Sequence, residues 1–234
     1  MSASAEFRAF ADADALARHV AGWLVDVALA TEGTFALCLS GGSTPRRLYE
    51  ILASPAHRDR MPWRRTALFW GDERFVPPED PQSNFRMARE ALLARVPIPP
   101  QNIHPIATVG LSPVAAADAY ERTLRDFARE RPFLFDVTLL GLGTDGHTAS
   151  LFPGSPALRE RERWVLPVVG AKPETRITLT YPALESSRHV AFLVAGADKE
   201  PVLRRIRDGA CDDPAARLIP AGRLHWFADR AAMP

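Results

Sequence analysis

Hydrophobic side chains recur along this chain in two alternating patterns, and each pattern predicts one kind of element. Spacing of three and four residues, as on one face of a helix, predicts helices at residues 12–30, 46–52, 84–95, 113–131 and 199–207. Short continuous apolar runs predict strands at residues 34–39, 66–70, 135–140, 164–169, 176–180, 189–194 and 224–227. Gly33 follows the first helix, and Ser112 with Pro113 opens the fourth, as is typical of helix ends.

This alternation of strands and helices predicts an α/β fold. Parallel strands are joined by crossover helices that cover both faces of the sheet, and such strands read as near-continuous apolar runs. The sequence therefore predicts an open, mostly parallel sheet with helices on both faces. Its 234 residues contain no repeat or low-complexity tract, so we expect a single domain over residues 1–234. Ligands of such sheets bind at the carboxyl ends of the strands.

Charge balance and cysteine content narrow the class of protein. The 29 basic and 28 acidic residues give a formal charge of +1, so no global field attracts the chain to nucleic acid or to an anionic membrane. The sequence shows neither a membrane-spanning apolar run nor a signal-peptide pattern near its start. Cys38 and Cys211 lie in unrelated contexts, which favours a reducing, cytoplasmic location. Any anionic ligand is therefore expected to be bound locally.

The loop after the first predicted strand reads SGGSTP at residues 40–45 and suits an anion. Gly41 and Gly42 allow backbone amides to approach a ligand closely, while Ser43 and Thr44 add hydroxyl donors at the start of a helix. The alternative is a tight turn with an N-cap and a proline at the first helical position, which leaves the adjacent glycines unexplained. No Lys-Ser or Lys-Thr pair follows, so a nucleotide P-loop is not predicted. We expect this loop to bind a phosphate.

The loop GLGTDGH at residues 141–147 follows another predicted strand and contains a formal G-x-G-x-x-G. The chain reaches Pro153 too soon for the helix that a dinucleotide-binding loop opens, so no nicotinamide or other cofactor is predicted. His147 and Asp145 flank a glycine there, and a neutral imidazole can take a proton from water because its ordinary pKa is near 6.5. The alternative is a loop histidine that only satisfies nearby backbone groups.

The loop after the second predicted strand concentrates polar side chains. Arg74 is a candidate to hold an anion, and Asn84 is a candidate either to bind hydroxyl groups or to cap its helix. Asp72 and Glu73 are candidates for an acid-base pair, although salt bridges to Arg74 or Arg86 account for them equally well. The sequence therefore leaves the roles of these four side chains open.

Other catalytic classes lack their sequence signatures. No G-x-S-x-G appears, so a covalent serine hydrolase is not predicted. The remaining histidines show no pairing at metal-ligand spacing, so no metal site is predicted. These histidines are His19, His57, His104, His189 and His225.

Taken in order along nearly the whole chain, these residues resemble the 6-phosphogluconolactonases. The resemblance is carried by LSGGSTPRRLY at residues 39–49, WGDERFVP at 70–77 with SN at 83–84, GLGTDGHTASLFPG at 141–154 and RITLT at 176–180. It implies a Rossmann-like open sheet, shared with glucosamine-6-phosphate deaminases. It also implies a metal-independent hydrolase whose partner is a small sugar phosphate lactone.

The resemblance implies roles for individual residues as well. The histidine of Asp-Gly-His is the catalytic base in that family, which corresponds to His147 here, and Asp145 is a candidate to orient it. Arg176 and Lys199 correspond to phosphate ligands beside the glycine-rich loop at residues 40–45, and Arg74 to a residue near the substrate. Attack of water on a lactone carbonyl creates an oxyanion, and the backbone amides of the loop that carries His147 are candidate hydrogen-bond donors to it.

Alternatives from other classes are a sugar-phosphate deaminase on the same fold and a non-catalytic sugar-phosphate sensor. A sensor would normally carry a helix-turn-helix, whereas residues 1–30 supply one predicted helix and no basic cluster. Glu185 departs from the family pattern, which has asparagine at this position. The oligomeric state, monomer or weak dimer, is not fixed by the sequence.

Overall fold

Strands and helices alternate through the part of the chain that the structure describes, residues 5–234 of a computed structural model. The strands are β1 (Glu6–Phe10), β2 (Phe35–Leu39), β3 (Thr66–Trp70), β4 (Asp72–Arg74), β5 (Phe135–Leu140), β6 (Val165–Val168), β7 (Arg176–Leu179), β8 (Ser187–Val194) and β9 (Arg223–Asp229). The helices are α1 (Ala13–Ala30), α2 (Ser43–Leu52), α3 (Pro55–Arg58), α4 (Asn84–Ala91), α5 (Pro113–Ala128), α6 (Tyr181–Glu185) and α7 (Glu200–Arg207).

Six of these strands form one parallel sheet, in the order β1-β9-β8-β5-β2-β3. Strands β2, β3 and β5 are buried at every position. Apolar side chains alternate between the two faces of a strand, so complete burial means that both faces are covered. The predicted α/β fold, an open and mostly parallel sheet with helices on both faces, is confirmed.

A second, three-stranded sheet lies outside the predicted parallel one. Strand β7 is its central strand, with β4 and β6 antiparallel on either side. Both β6 and β7 are strands, as predicted, but they pair in this separate sheet and not in the parallel one. The loop between them is too short for a crossover helix, and so the two strands pair as a hairpin. In this sheet Arg74 lies opposite Arg176.

Several element boundaries differ from those predicted. Strand β1 was not predicted, because its residues are largely exposed at the edge of the sheet and show no apolar run. Helix α2 begins at Ser43, earlier than the apolar spacing indicated, and Pro45 is therefore its third residue. The helices α4 and α5 end at Ala91 and Ala128, each shorter than predicted.

Glu185, which departs from the family pattern, fixes the backbone before β9. Its Oε1 accepts a hydrogen bond from the amide of Ile219 at 3.0 Å, and its carbonyl accepts one from Ala221 at 2.8 Å. Partial burial raises the pKa of the Glu185 carboxyl from its ordinary value. An asparagine side chain also offers an oxygen acceptor, which explains how either residue can serve at this position.

No helix within residues 5–234 combines the length and the apolar content that crossing a bilayer would require. In the same part of the chain, no three histidine, cysteine or acidic side chains lie together as a metal site would need.

Candidate active site

A cleft of about 380 Å³ lies beyond the carboxyl ends of β2, β5 and β8. All three chemically distinctive loops of the sequence contribute to it. Nine residues that were predicted to form the site line this cleft, namely Gly41, Gly42, Ser43, Thr44, Arg74, Asn84, His147, Arg176 and Lys199. The structure therefore brings together residues that are far apart in the sequence, as expected at the carboxyl edge of an open sheet.

Asp145, the tenth predicted residue, contacts the imidazole of His147 but does not itself line the cleft. Its Oδ1 lies 2.5 Å from Nδ1 of His147 and also accepts a hydrogen bond from the His147 amide at 3.1 Å. Partial burial acts to raise the pKa of Asp145, but the hydrogen bonds from His147 outweigh it, and the net pKa lies below the ordinary value. An ionised Asp145 holds Nδ1 in its protonated form, which leaves Nε2 as the acceptor.

Gly143 allows His147 to occupy this position. A Cβ atom on Gly143 would lie 2.0 Å from Nδ1 of His147 and 2.5 Å from Oδ1 of Asp145, so no other residue fits without displacing the pair. The Gly143 amide donates to the carbonyl of His147 at 2.9 Å, and the Gly146 amide donates to the carbonyl of Gly143 at 3.0 Å. Two of the amides considered as oxyanion donors are therefore already occupied within the loop.

The glycine-rich loop presents an uncapped helix terminus to the cleft. Gly42 is the N-cap of α2, has a φ of 106° and provides no side-chain cap, so the alternative of an N-cap followed by a proline at the first helical position is wrong. Ser43 and Thr44 are the first helical residues, and their amides have no carbonyl within the helix to bind. Such a terminus attracts anions through its free amides and the helix dipole.

Asn84 closes the other side of this loop by packing against Gly41. A Cβ atom on Gly41 would lie 2.0 Å from Oδ1 of Asn84. The Nδ2 of Asn84 donates to the carbonyl of Asp72 at 2.9 Å and to its Oδ1 at 3.3 Å. Asn84 does not cap α4, since the side chain of Ser83 accepts from the amide of Arg86 in that position. The capping role considered for Asn84 is therefore wrong.

Arg74 and Arg176 place two guanidinium groups close together at the cleft. The side chain of Arg176 is only 13% exposed, and Glu174, its ion-pair partner, lies 3.5 Å away. Burial lowers the pKa of Arg176 from its ordinary value, and the positive charge of Arg74 lowers it further. Within the described residues, the Nε atoms of both arginines are buried without a hydrogen-bond partner. Two adjacent cations with unused donors suit a doubly charged anion.

Lys199 approaches the same cleft from the turn that follows β8. Its Nζ lies 3.1 Å from Oδ2 of Asp198, an exposed carboxylate. An exposed ion pair of this kind contributes little to stability, so the ammonium can exchange its partner for a ligand at small cost.

Neither carboxylate of the middle loop forms the ion pairs that the sequence allowed. Glu73 is buried and accepts hydrogen bonds from the amides of Arg74, Asn84 and Phe85, each at 2.7 Å. Asp72 accepts a hydrogen bond from the hydroxyl of Ser150 at 2.6 Å. Glu73 therefore fixes the start of α4 and lies outside the cleft lining, whereas Asp72 lines the cleft. An acid-base pair of these two residues does not fit this geometry.

Several cleft residues were not among those predicted from the sequence. Ala149, Phe152 and Lys172 are three of them. Ala149 has a φ of 48°, a backbone conformation that an alanine seldom adopts. Lys172 lies in the loop between β6 and β7, and only the antiparallel pairing of those strands brings that loop to the cleft.

Comparison with known proteins agrees with the fold. The family model described as glucosamine-6-phosphate isomerases/6-phosphogluconolactonase matches residues 11–226. A Nostoc protein named 6-phosphogluconolactonase is 44% identical over 215 residues, which cover 89% of this chain and 87% of that protein. The crystal structure of a Thermotoga maritima 6-phosphogluconolactonase superposes with a TM-score of 0.84 at 30% identity, covering 97% of this chain and all of the other.

The fold is shared more widely than that one activity. A monomeric glucosamine-6-phosphate deaminase also superposes with a TM-score of 0.84, covering 97% of this chain and 98% of that one, but at only 20% identity. At that identity the likeness concerns the fold alone. The family model and the relatives at higher identity each span most of the sequence, and the chain belongs to the enzyme family of glucosamine-6-phosphate isomerases and 6-phosphogluconolactonases.

Proposed function

We propose that this chain is a 6-phosphogluconolactonase. It hydrolyses 6-phospho-D-glucono-1,5-lactone to 6-phospho-D-gluconate, a step of the oxidative pentose phosphate pathway, in the cytoplasm. The observation that carries the proposal is the imidazole of His147, held by Asp145 in a cleft that also contains Arg74, Arg176 and Lys199. A proton acceptor and a group of cations in one cleft suit a substrate that has an ester at one end and a phosphate at the other.

The phosphate binds, in this proposal, to the cationic part of the cleft. Arg74 and Arg176 have unused donors, and the free amides at the start of α2 add partial positive charge. Lys199 can leave Asp198 to join them. A phosphate dianion held in this way fixes the sugar so that its lactone ring faces His147.

His147 then acts as the general base. With Nδ1 turned to Asp145, its Nε2 takes a proton from a water molecule as the water oxygen bonds to the lactone carbonyl carbon. The tetrahedral intermediate collapses with cleavage of the bond between that carbon and the ring oxygen. The imidazolium returns its proton to the departing ring oxygen, and the new carboxylic acid ionises in solution. No metal or cofactor takes part in this scheme.

Phe152 distinguishes this proposal from a deaminase. In the deaminase-like sequence pattern that this loop resembles, a carboxylate precedes the proline at the position of Phe152. The ring centroid of Phe152 lies 4.7 Å from that of His147. A phenyl ring cannot transfer a proton. We therefore expect no ammonia release from glucosamine 6-phosphate, and turnover of even a few per second would contradict the lactonase proposal.

The direct test is disappearance of the lactone, formed in place by a dehydrogenase from glucose 6-phosphate. At mildly acidic pH spontaneous hydrolysis is slow enough to expose catalysis. The purified chain should accelerate lactone loss in proportion to its concentration. The His147→Ala variant serves as the matched control, and lactone loss no faster than the spontaneous rate with the unmodified chain would disprove the proposal.

A further inference from the structure

Lysine is confined to the cleft in this protein. Only two of the 29 basic side chains are lysines, Lys172 and Lys199, and both line the cleft, while every other basic position holds arginine. A lysine ammonium is a compact charge on a flexible stem, whereas a guanidinium is a wide planar fork. This distribution indicates a specific use for a compact cation at both positions.

Lys172 reaches the cleft from the side of the histidine. Its Nζ lies 5.2 Å from the ring centroid of Phe152, and the Phe152 ring in turn lies 4.7 Å from the ring of His147. Arg74 and Arg176, by contrast, stand on neighbouring strands of the small sheet. Lys172 and His147 therefore contact the same aromatic ring at the edge of the cleft.

The ammonium of Lys172 is available for a ligand. Within residues 5–234 no carboxylate lies within ion-pair distance of it, whereas Lys199 has Asp198 at 3.1 Å. Lys172 is exposed, and its flexible stem can follow a ligand into the cleft. Its contact with the Phe152 ring keeps it above the cleft without saturating its donors, because the face of a ring accepts a cation only weakly at an exposed site.

Lactone hydrolysis creates a need for positive charge at this place. The carbonyl oxygen becomes negative in the tetrahedral intermediate, and the product carries a new carboxylate. The amides of Gly143 and Gly146 already donate within their own loop. A mobile cation that reaches the cleft beside the Phe152 ring can supply a further donor to that oxygen.

We propose that Lys172 is a further substrate-contacting residue, whose ammonium donates to the lactone carbonyl oxygen and then pairs with the carboxylate of the product. This inference rests on the proposed lactonase function. Lys172 keeps its proton throughout, while His147 carries the proton that moves from water to the ring oxygen. Lys199 serves the opposite, phosphorylated end of the substrate.

Equilibrium binding of two ligands distinguishes contacts at the carbonyl end of the substrate from contacts at its phosphate end. One ligand is 6-phosphogluconate, and the other is glucitol 6-phosphate, which has the same phosphate but a hydroxymethyl group in place of the carboxylate. Lys172→Met should weaken binding of 6-phosphogluconate about 10-fold, the effect of losing one charge-assisted hydrogen bond, and leave glucitol 6-phosphate within about twofold. The matched variant Lys199→Met should weaken both ligands by a similar factor. Calorimetric titration measures all four values.

Kinetics give an independent readout. In Lys172→Met, kcat/KM should fall by the same factor for the phosphorylated lactone and for unphosphorylated gluconolactone, because both have the carbonyl. Lys172→Arg, which keeps the charge, should recover part of the loss. If Lys172→Met weakens the binding of both ligands equally, Lys172 contacts the phosphate. If the binding of both ligands is unchanged, Lys172 is a surface lysine without a role in binding. Either result overturns the inference.

The two proposals fail in different ways. If the unmodified chain neither binds 6-phosphogluconate nor hydrolyses the lactone, the proposed function itself is wrong, and this inference with it. If the unmodified chain does both but Lys172→Met does not discriminate between the two ligands, only the role of Lys172 is wrong. Because Lys172 is exposed, its substitution should leave the thermal midpoint unchanged, which excludes misfolding as a cause.

Discussion

His147 and Asp145 are separated by one residue, and their contact follows from local backbone geometry. The intervening Gly146 has a φ of 81°, which turns the chain so that the carboxylate faces both the ring and the amide of His147. A pair formed within three residues does not depend on distant packing. The sequence could make Asp145 only a candidate to orient His147, and the turn of the backbone at Gly146 is what brings the two side chains into contact.

The first prediction concerns His147→Ala. Loss of a positioned proton acceptor should lower kcat by roughly 10²- to 10⁴-fold, equivalent to about 3 to 5.5 kcal/mol of barrier. Binding of 6-phosphogluconate should largely survive, because the phosphate is held by other residues. Steady-state kinetics measures the fall in kcat, and ligand titration measures the binding that remains.

Asp145→Asn provides the companion measurement for that prediction. An amide can still contact Nδ1 but no longer favours its protonated form, so kcat should fall while KM changes little. A folded His147→Ala protein that kept more than about a third of the unmodified turnover would remove His147 from the mechanism.

The second prediction concerns Arg176→Ala. Loss of a charged donor to the phosphate should weaken substrate binding by about 1.5 to 3 kcal/mol, seen as a higher KM for the phosphorylated lactone. The weak reaction of unphosphorylated gluconolactone should be almost unchanged. Kinetics on the two substrates measure the difference, and equal losses on both would exclude a phosphate-specific role for Arg176.

The sequence predicted which residues belong to the site better than it predicted the contacts of each side chain. The sequence indicated that Arg74, Asn84 and Arg176 belong to one site, and all three line the cleft. It could not distinguish a capping from a packing role for Asn84, because the neighbouring Ser83 is an equally good cap. Lys172 escaped prediction because an isolated lysine in a loop carries no spacing signal.

At the scale of elements, strand pairing sets the cationic wall of the cleft. Arg74 and Arg176 lie opposite each other only because β4 pairs with β7, which lies about a hundred residues later in the chain. Apolar runs predict that a strand exists but not which strand it joins. The second sheet, and therefore the closeness of the two arginines, could not be derived from local pattern.

The third prediction concerns the start of α4. Glu73→Gln removes one of two carboxylate oxygens that accept from three backbone amides and from the hydroxyl of Ser83. We expect the free energy of unfolding to fall by about 1 to 3 kcal/mol, the effect of leaving a buried donor unsatisfied. Activity should fall as well, since Glu73 positions Arg74 and Asn84.

Glu90→Gln is the matched control on the same helix. Glu90 forms an exposed ion pair with Arg86, four residues earlier, and its loss should leave stability almost unchanged. Urea unfolding of the unmodified chain and of the two variants measures the free energies of unfolding. A Glu73→Gln variant as stable as Glu90→Gln would show that Glu73 does not fix the start of α4.

At the scale of the whole molecule, the histidines dispersed in the sequence are partly brought together. His189 on β8 and His225 on β9 lie with their ring nitrogens 3.1 Å apart beneath Trp23 of α1. Burial lowers the pKa of His189 to about 4, and the positive charges of His225 and Arg223 contribute. No pattern in the sequence predicts this pair, because it depends on the register of two parallel strands.

The fourth prediction is a loss of stability in mild acid. Between pH 6.5 and about 4 the unfolded chain protonates this histidine and the folded chain does not. Proton uptake by the unfolded state favours unfolding. The stability that the neutral His189 provides is therefore fully present above pH 6.5 and is lost as the pH falls toward 4. Urea titrations at several pH values measure the slope.

His189→Gln should reduce that slope, because its side chain takes up no proton in either state. His57→Gln, on α3 and away from the pair, should retain the slope of the unmodified chain. If His189→Gln and the unmodified chain lose stability equally between these pH values, the histidine pair is not the cause.

The position of β1 bears on the order in which this protein assembles. Among residues 5–234, strand β1 is at the edge of the parallel sheet and pairs with β9 alone, so that Glu6 lies opposite His225. Contacts between such distant parts of a chain form late, because a long loop must close first. Pulse-labelled hydrogen exchange during refolding should therefore protect β2, β3 and β5 before β1. Until β1 docks, β9 presents an open edge to other molecules, so refolding yield should rise on dilution.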